Sequence, residues 1–100
     1  MTEMNTVRVA VEFSGISRVL TGKKEAALEM GSGADIQDVI RHLAKSHPQL
    51  VGEIIDKKGD KLIPSNLFSI NGEKILHETD TTYQPKDGDK LILLSLLSGG

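Results

Sequence analysis

The sequence predicts an α+β domain in which one main helix packs across one face of a mixed sheet. Three observations carry this expectation. A strictly alternating apolar segment opens the chain at 7–13, a helical apolar pattern occupies about 35–46, and further strand-like segments separated by turn residues fill the second half. Read in order, the elements are β-β-α-β-β-β, and one small domain with that order has to lay its helix on its sheet.

The first strand places Val7, Val9, Val11 and Phe13 on one side and Arg8, Ala10 and Glu12 on the other. Ser14-Gly15 ends it, and 14–24 reads as a polar-rich loop. A weaker strand at 24–30, with Ala26, Leu28 and Met30 on one face, completes a hairpin. Gly31-Ser32-Gly33 breaks the pattern. Asp35 then stands at a helix N-cap, with Asp38 in the first turn, where negative charge suits the helix dipole. Ile36, Val39, Ile40 and Leu43 supply the buried stripe, and Pro48 stops the helix at His47. Leu50, Val51, Ile54 and Ile55 suggest a second short helical turn, and 57–60 a loop turn. Residues 67–70 and 73–76 form a hairpin around Asn71-Gly72. A turn at 85–89 precedes the most apolar strand, 90–97. The expected core is Val7, Val9, Val11, Phe13, Leu91 and Leu93 against the helix stripe.

That last strand is apolar on both sides. If Leu91 and Leu93 face the helix, Ile92 and Leu94 face away, and one helix cannot cover both faces of a sheet. The reading favours a partner-binding surface over loop cover or self-association, with Ile92 and Leu94 continued by Leu96 and Leu97.

Composition bounds the function. One hundred residues fit a single domain, 1–100, with a flexible C-terminal Gly-Gly tail. The net charge of −2, interspersed charges and only three aromatics argue against a nucleic-acid partner. No apolar run approaches the length of a membrane span and no secretory leader is evident, so no membrane partner and a cytoplasmic location are expected. The absence of cysteine rules out a thiol nucleophile, a disulfide framework and a thiolate metal site in this chain. His42, His47 and His77 lack helical ligand spacing and read as surface residues, so no metal site is expected; no cofactor is expected either. Gly31-Ser32-Gly33 lacks the third glycine of a dinucleotide loop, and Gly22-Lys23-Lys24 lacks the rest of a phosphate loop. Asp87 and Asp89 flank Gly88 as turn residues rather than as an acid–base pair.

Elimination leaves the terminus. Gly99 and Gly100 closely follow a core strand, so the tail is short and anchored. Without Cβ atoms it can thread a narrow channel and let a reagent approach the terminal carbonyl. A carboxylate needs activation before it can transfer, and with no nucleotide site here the activating machinery has to be a partner.

The strand order, the Asp87-Gly88-Asp89 turn before an apolar strand and the ending Ser98-Gly99-Gly100 resemble the ubiquitin-like β-grasp sulfur carriers, the MoaD and ThiS group. Residues 11–15, the His47-Pro48-Gln49-Leu50 helix exit and residues 93–100 are similar to its ubiquitin-related modifier branch. Leu96-Leu97 stands where MoaD-like tails carry a proline-containing segment. The resemblance implies a β-grasp sheet of four to five strands and a carrier that is not itself an enzyme. It implies that an E1-like enzyme adenylates Gly100 and that a sulfurtransferase step makes a thiocarboxylate; Gly99, with no side chain beside the reacting carbonyl, is expected to give access to it. Sulfur would pass to a cofactor precursor or a tRNA base, and attachment to lysines of target proteins can accompany this role. The alternatives are the small subunit of a molybdopterin synthase, with the tail in the large subunit, and a β-grasp interaction module with incidental glycines.

Overall fold

The computed structural model describes residues 5–77 and 79–95. The expected alternation at the start becomes β1 (Thr6–Phe13), and its inward residues Val9, Val11 and Phe13 are buried while Val7 is only half-buried against the same core. β2 (Glu25–Gly31) pairs antiparallel with β1 and contributes Leu28 and Met30.

Residues 14–24 do not form a loop. Ile16–Thr21 wind into a short helix, α1, closed by Gly22 in the left-handed conformation. The sequence hides it because a six-residue helix cannot show an amphipathic period. Its formation rests on side-chain bonds: Ser17 Oγ donates to the Ser14 carbonyl at 2.9 Å and accepts from the Ser14 N–H at 3.1 Å, and Ser17 is buried.

The main helix, α2 (Ile36–Ser46), starts in a reciprocal cap. Asp35 accepts from the Asp38 N–H at 2.9 Å, and Asp38 accepts from the Asp35 N–H at 3.0 Å. Ile36, Val39, Ile40 and Leu43 are all buried. The helical turn expected from Leu50 onward falls earlier, as a 3-10 turn at Pro48–Leu50, because proline suits the first turn of a helix and closes the one before it. Ile54 and Ile55 are buried beyond it through turns and isolated bridges rather than a helix.

β3 (Asn66–Ile70) and β4 (Lys74–Leu76) form the second hairpin. Asn71 and Gly72 both adopt positive φ, 54° and 72°, the geometry for which this dipeptide is selected. β5 (Lys90–Ser95) runs parallel to β1 and antiparallel to β3. The sheet order β2-β1-β5-β3-β4 puts this strand in the centre, held by hydrogen bonds on both sides. Leu91 and Leu93 are sealed in the core, as their parity predicts.

The turn at 85–89 is a lock. Asp87 accepts from the Arg8 N–H at 2.7 Å, and Asp89 from the Lys86 N–H at 2.8 Å and the Tyr83 hydroxyl at 3.3 Å. Burial, then the Asp89 charge and hydrogen bond, push the Tyr83 hydroxyl's pKa up. Both carboxylates are thus engaged with turn, strand and Tyr83 groups, and the register of β5 against β1 is fixed before the strand begins.

Candidate functional site

The candidate site is the distal end of β5 and the sheet face that leads to it. Ile92 and Leu94 lie half-buried on the face opposite the core. The register gives them company that the sequence reading missed. Leu94 pairs with Leu67 of β3, Ile92 pairs with Ser69, and Ser69 pairs in turn with Ile75 of β4. Paired residues project from the same side of a sheet, so Leu67, Leu94, Ile92 and Ile75 form one apolar stripe around the small Ser69. Ile75 is 48% exposed, so the stripe reaches solvent. The alternation of the 66–70 strand already carried the signal for Leu67; Ile75 needed the hairpin register.

On its other flank, Ile92 stands next to Glu12 of β1, which pairs with Glu25 of β2. Two carboxylates side by side on adjacent strands repel. Lys90 offsets this, with its Nζ 3.1 Å from Glu12 and 3.7 Å from Glu25. The hydrogen bond to Glu12, its charge and then that of Glu25 raise the lysine's pKa. The open face is therefore an apolar stripe bordered by two carboxylates that share one ammonium group.

Leu96, Leu97, Gly99 and Gly100 lie outside the described residues. The structure defines their departure point: Ser95, paired with Asn66 at the start of β3. On the β1 side, Ser14 Oγ donates to the Leu93 carbonyl at 2.8 Å, tying the beginning of α1 to the last turn of the pleat before Ser95.

His47 corrects an expectation. It is not a surface residue but 5% exposed, with its ring 5.4 Å from that of Phe13. The neighbours define a relay in which Lys23 Nζ donates to Nε2 at 3.4 Å, Nδ1 donates to Ser46 Oγ at 2.8 Å, and Ser46 Oγ donates to the His42 carbonyl at 3.0 Å. Burial, then the charges of Lys23 and His42, lower its pKa, so it stays neutral. His42 and His77 are exposed as expected. Among the described residues no group of three or more His, Asp or Glu side chains is placed to hold a metal ion. No helix among them is long and apolar enough to cross a membrane.

A cleft of about 490 Å³ opens beside β4, with Ile36, Ile40, Phe68 and Leu76 among its lining residues and Lys61 and His77 at its rim. The nearby Asp56 carboxylate is spoken for. Burial disfavours its charge, but the N–H groups of Asp60, Lys61 and Gly59 outweigh that and hold its pKa below the usual range.

Five strands in this order among the described residues, with one main helix on one face, define a ubiquitin-like β-grasp protein. The family model described as ThiS matches residues 11–100, and the chain belongs to the ThiS family, whose members are small sulfur carriers rather than catalysts. It is 27% identical over 94 residues to the molybdopterin synthase sulfur carrier subunit of Chlamydomonas reinhardtii, covering 94% of this chain and all of that protein. The small archaeal modifier protein 1 from Methanosarcina acetivorans has a TM-score of 0.75 at 28% identity, with 96% of this chain and 99% of that one covered. Urm1 from Trypanosoma brucei shares the fold with a TM-score of 0.68 at 22% identity, covering 98% of this chain and all of the other.

Proposed function

We propose that this protein is a sulfur carrier whose Gly100 carboxylate is adenylated by an E1-like enzyme and converted to a thiocarboxylate. The observation that carries the reading is the position of β5: the tail follows the strand anchored on both sides in the sheet centre. An anchored base lets the residues after Ser95 be offered to a partner without disturbing the fold. A carboxylate oxygen of Gly100 attacks the α-phosphorus of ATP and pyrophosphate leaves. Hydrosulfide, delivered by a sulfurtransferase, then adds to the carbonyl, and AMP leaves with the bridging oxygen. Because thiocarboxylic acids are stronger acids than carboxylic acids and sulfur is softer than oxygen, the product is an ionised, good nucleophile at neutral pH.

The stripe of Ile92 and Leu94, with Leu67 and Ile75, docks on the activating enzyme, and Leu96 and Leu97 extend the contact toward the reacting end. Gly99 gives the nucleotide room beside the carbonyl. Gly99→Val adds a β-branched side chain there and should abolish ATP–pyrophosphate exchange with an unchanged melting curve. Exchange equal to wild type would remove Gly99 from the reading.

The Chlamydomonas relative supports a second reading, in which the tail serves a molybdopterin synthase large subunit. Delivery to tRNA and attachment to protein lysines are the other destinations. Supplying the thiocarboxylated protein with each acceptor in turn separates them by where the sulfur or the whole chain ends up.

A further inference from the structure

The α1 segment presents apolar side chains outward from a pinned support. Ile16 is 48% exposed and Val19 81%, and they stand three residues apart, on one side of the helix. Single exposed apolar residues are ordinary, but these are two of the three large apolar side chains exposed among the described residues. The support is tied at both ends: besides the Ser14–Ser17 bonds, the Gly22 N–H caps the Arg18 carbonyl at 2.9 Å, and Ser14 is bonded to Leu93. A rigid display loses little entropy when it is covered.

Charge says what covers it. From Ile16 to Lys24 the chain carries Arg18, Lys23 and Lys24, all exposed, and no carboxylate. None of the ion pairs among the described residues involves these three; Lys23 leans on His47, which is neutral and compensates nothing. In a chain of net charge −2 this is a local excess of positive charge around an apolar knob. Its complement is an apolar hollow with acidic side chains at its rim. A bilayer fits worse, since two apolar side chains on a net-anionic protein give little membrane affinity. RNA fits worse too, since the segment has no aromatic side chain for a base to stack on.

Position says which partner. Phe13 and Leu93 are register partners in parallel strands, so β1 stops two residues short of the Ser95 end of β5, and α1 follows β1 at the same end of the sheet from which the chain continues beyond Ser95. We infer that Ile16 and Val19, together with the sequence neighbours Arg18, Lys23 and Lys24, form a second docking surface for an acidic-rimmed hollow on the enzyme that receives the tail. The inference rests on the proposed carrier function and adds to it. The sheet stripe and α1 grip the partner at two points around the exit of the tail, which fixes the direction in which Gly100 is offered.

The test measures KM and kcat for this protein as substrate of its adenylating enzyme, at low and high salt. Val19→Asp should raise KM about tenfold with kcat unchanged, because the residue is an interface contact and touches no reacting atom. Arg18→Glu with Lys24→Glu should raise KM at low salt and flatten its salt dependence. Both variants change exposed groups and should melt as wild type does. Unchanged KM and salt dependence in both, with wild type still adenylated, would overturn the inference alone. A wild-type protein that is not adenylated would overturn the carrier reading and this inference with it. Retention of wild type on phosphatidylserine–phosphatidylcholine vesicles, lost in Val19→Asp while KM stays unchanged, would assign the knob to a membrane instead.

Discussion

The two sides of β5 share a composition and differ in fate. Leu91 and Leu93 are sealed between sheet and helix, whereas Ile92 and Leu94, drawn from the same residue types in the same strand, lie half-buried on the open face. Hydrophobicity alone does not separate them. Parity relative to α2 does, because one helix covers one face. Folding therefore accounts for the first pair, and the second is the pair proposed above to dock on a partner.

That contrast breaks most visibly at Leu93. Leu93→Ala removes a fully enclosed side chain from the sheet centre and should destabilise the protein by about 2–5 kcal/mol, measured by denaturant unfolding. Leu94→Asp, one residue on, should leave the unfolding midpoint near wild type and raise KM for the activating enzyme about tenfold, roughly 1.4 kcal/mol of binding. If Leu94→Asp unfolds the isolated protein, the two faces are not distinct and the docking assignment falls.

A smaller effect sharpens the boundary of the core. His47 is buried neutral, so its folded pKa lies below the unfolded value of 6.5. The unfolded chain then binds the proton more readily than the folded one. The stability due to neutral His47 is fully present above pH 6.5 and is lost as pH falls through the lower folded value. Unfolding curves of wild type and His47→Gln should show a shallower fall over this window in the variant. Parallel curves would mean that His47 does not titrate with folding. Smallest of all, Lys90→Met should leave the unfolding midpoint almost unmoved at high salt and lower it slightly at low salt, where Glu12 and Glu25 repel unscreened. A large loss at every salt concentration would make Lys90 part of the packing instead.

The elements with a clear period were legible in advance. Alternation gave β1, the i, i+3, i+4 stripe and Asp35 gave α2, and Asn71-Gly72 gave the second hairpin. What escaped was set by contacts distant in sequence or by elements too short to have a period. α1 depends on the Ser14–Ser17 bonds and on the end of β5, and a string such as Ile16-Ser17-Arg18-Val19 reads equally well as loop. His47 looked like a solvated residue because its partners, Phe13 and Lys23, sit in other elements. Of the candidate site, the outward direction of Ile92 and Leu94 was visible from parity, but Leu67 and Ile75 joined them only through strand register. Leu96, Leu97, Gly99 and Gly100 rest on the sequence ending and on the family.

The most direct test of the carrier reading is an intact mass. The protein is incubated with its adenylating enzyme, ATP, a sulfurtransferase and a sulfur donor, then weighed whole and after proteolysis. The reading expects a gain equal to the exchange of one oxygen for one sulfur, carried by the peptide ending at Gly100 and absent from a variant lacking that residue. An unchanged mass with an enzyme shown to adenylate the protein would contradict it, and so would sulfur mapped anywhere else in the chain.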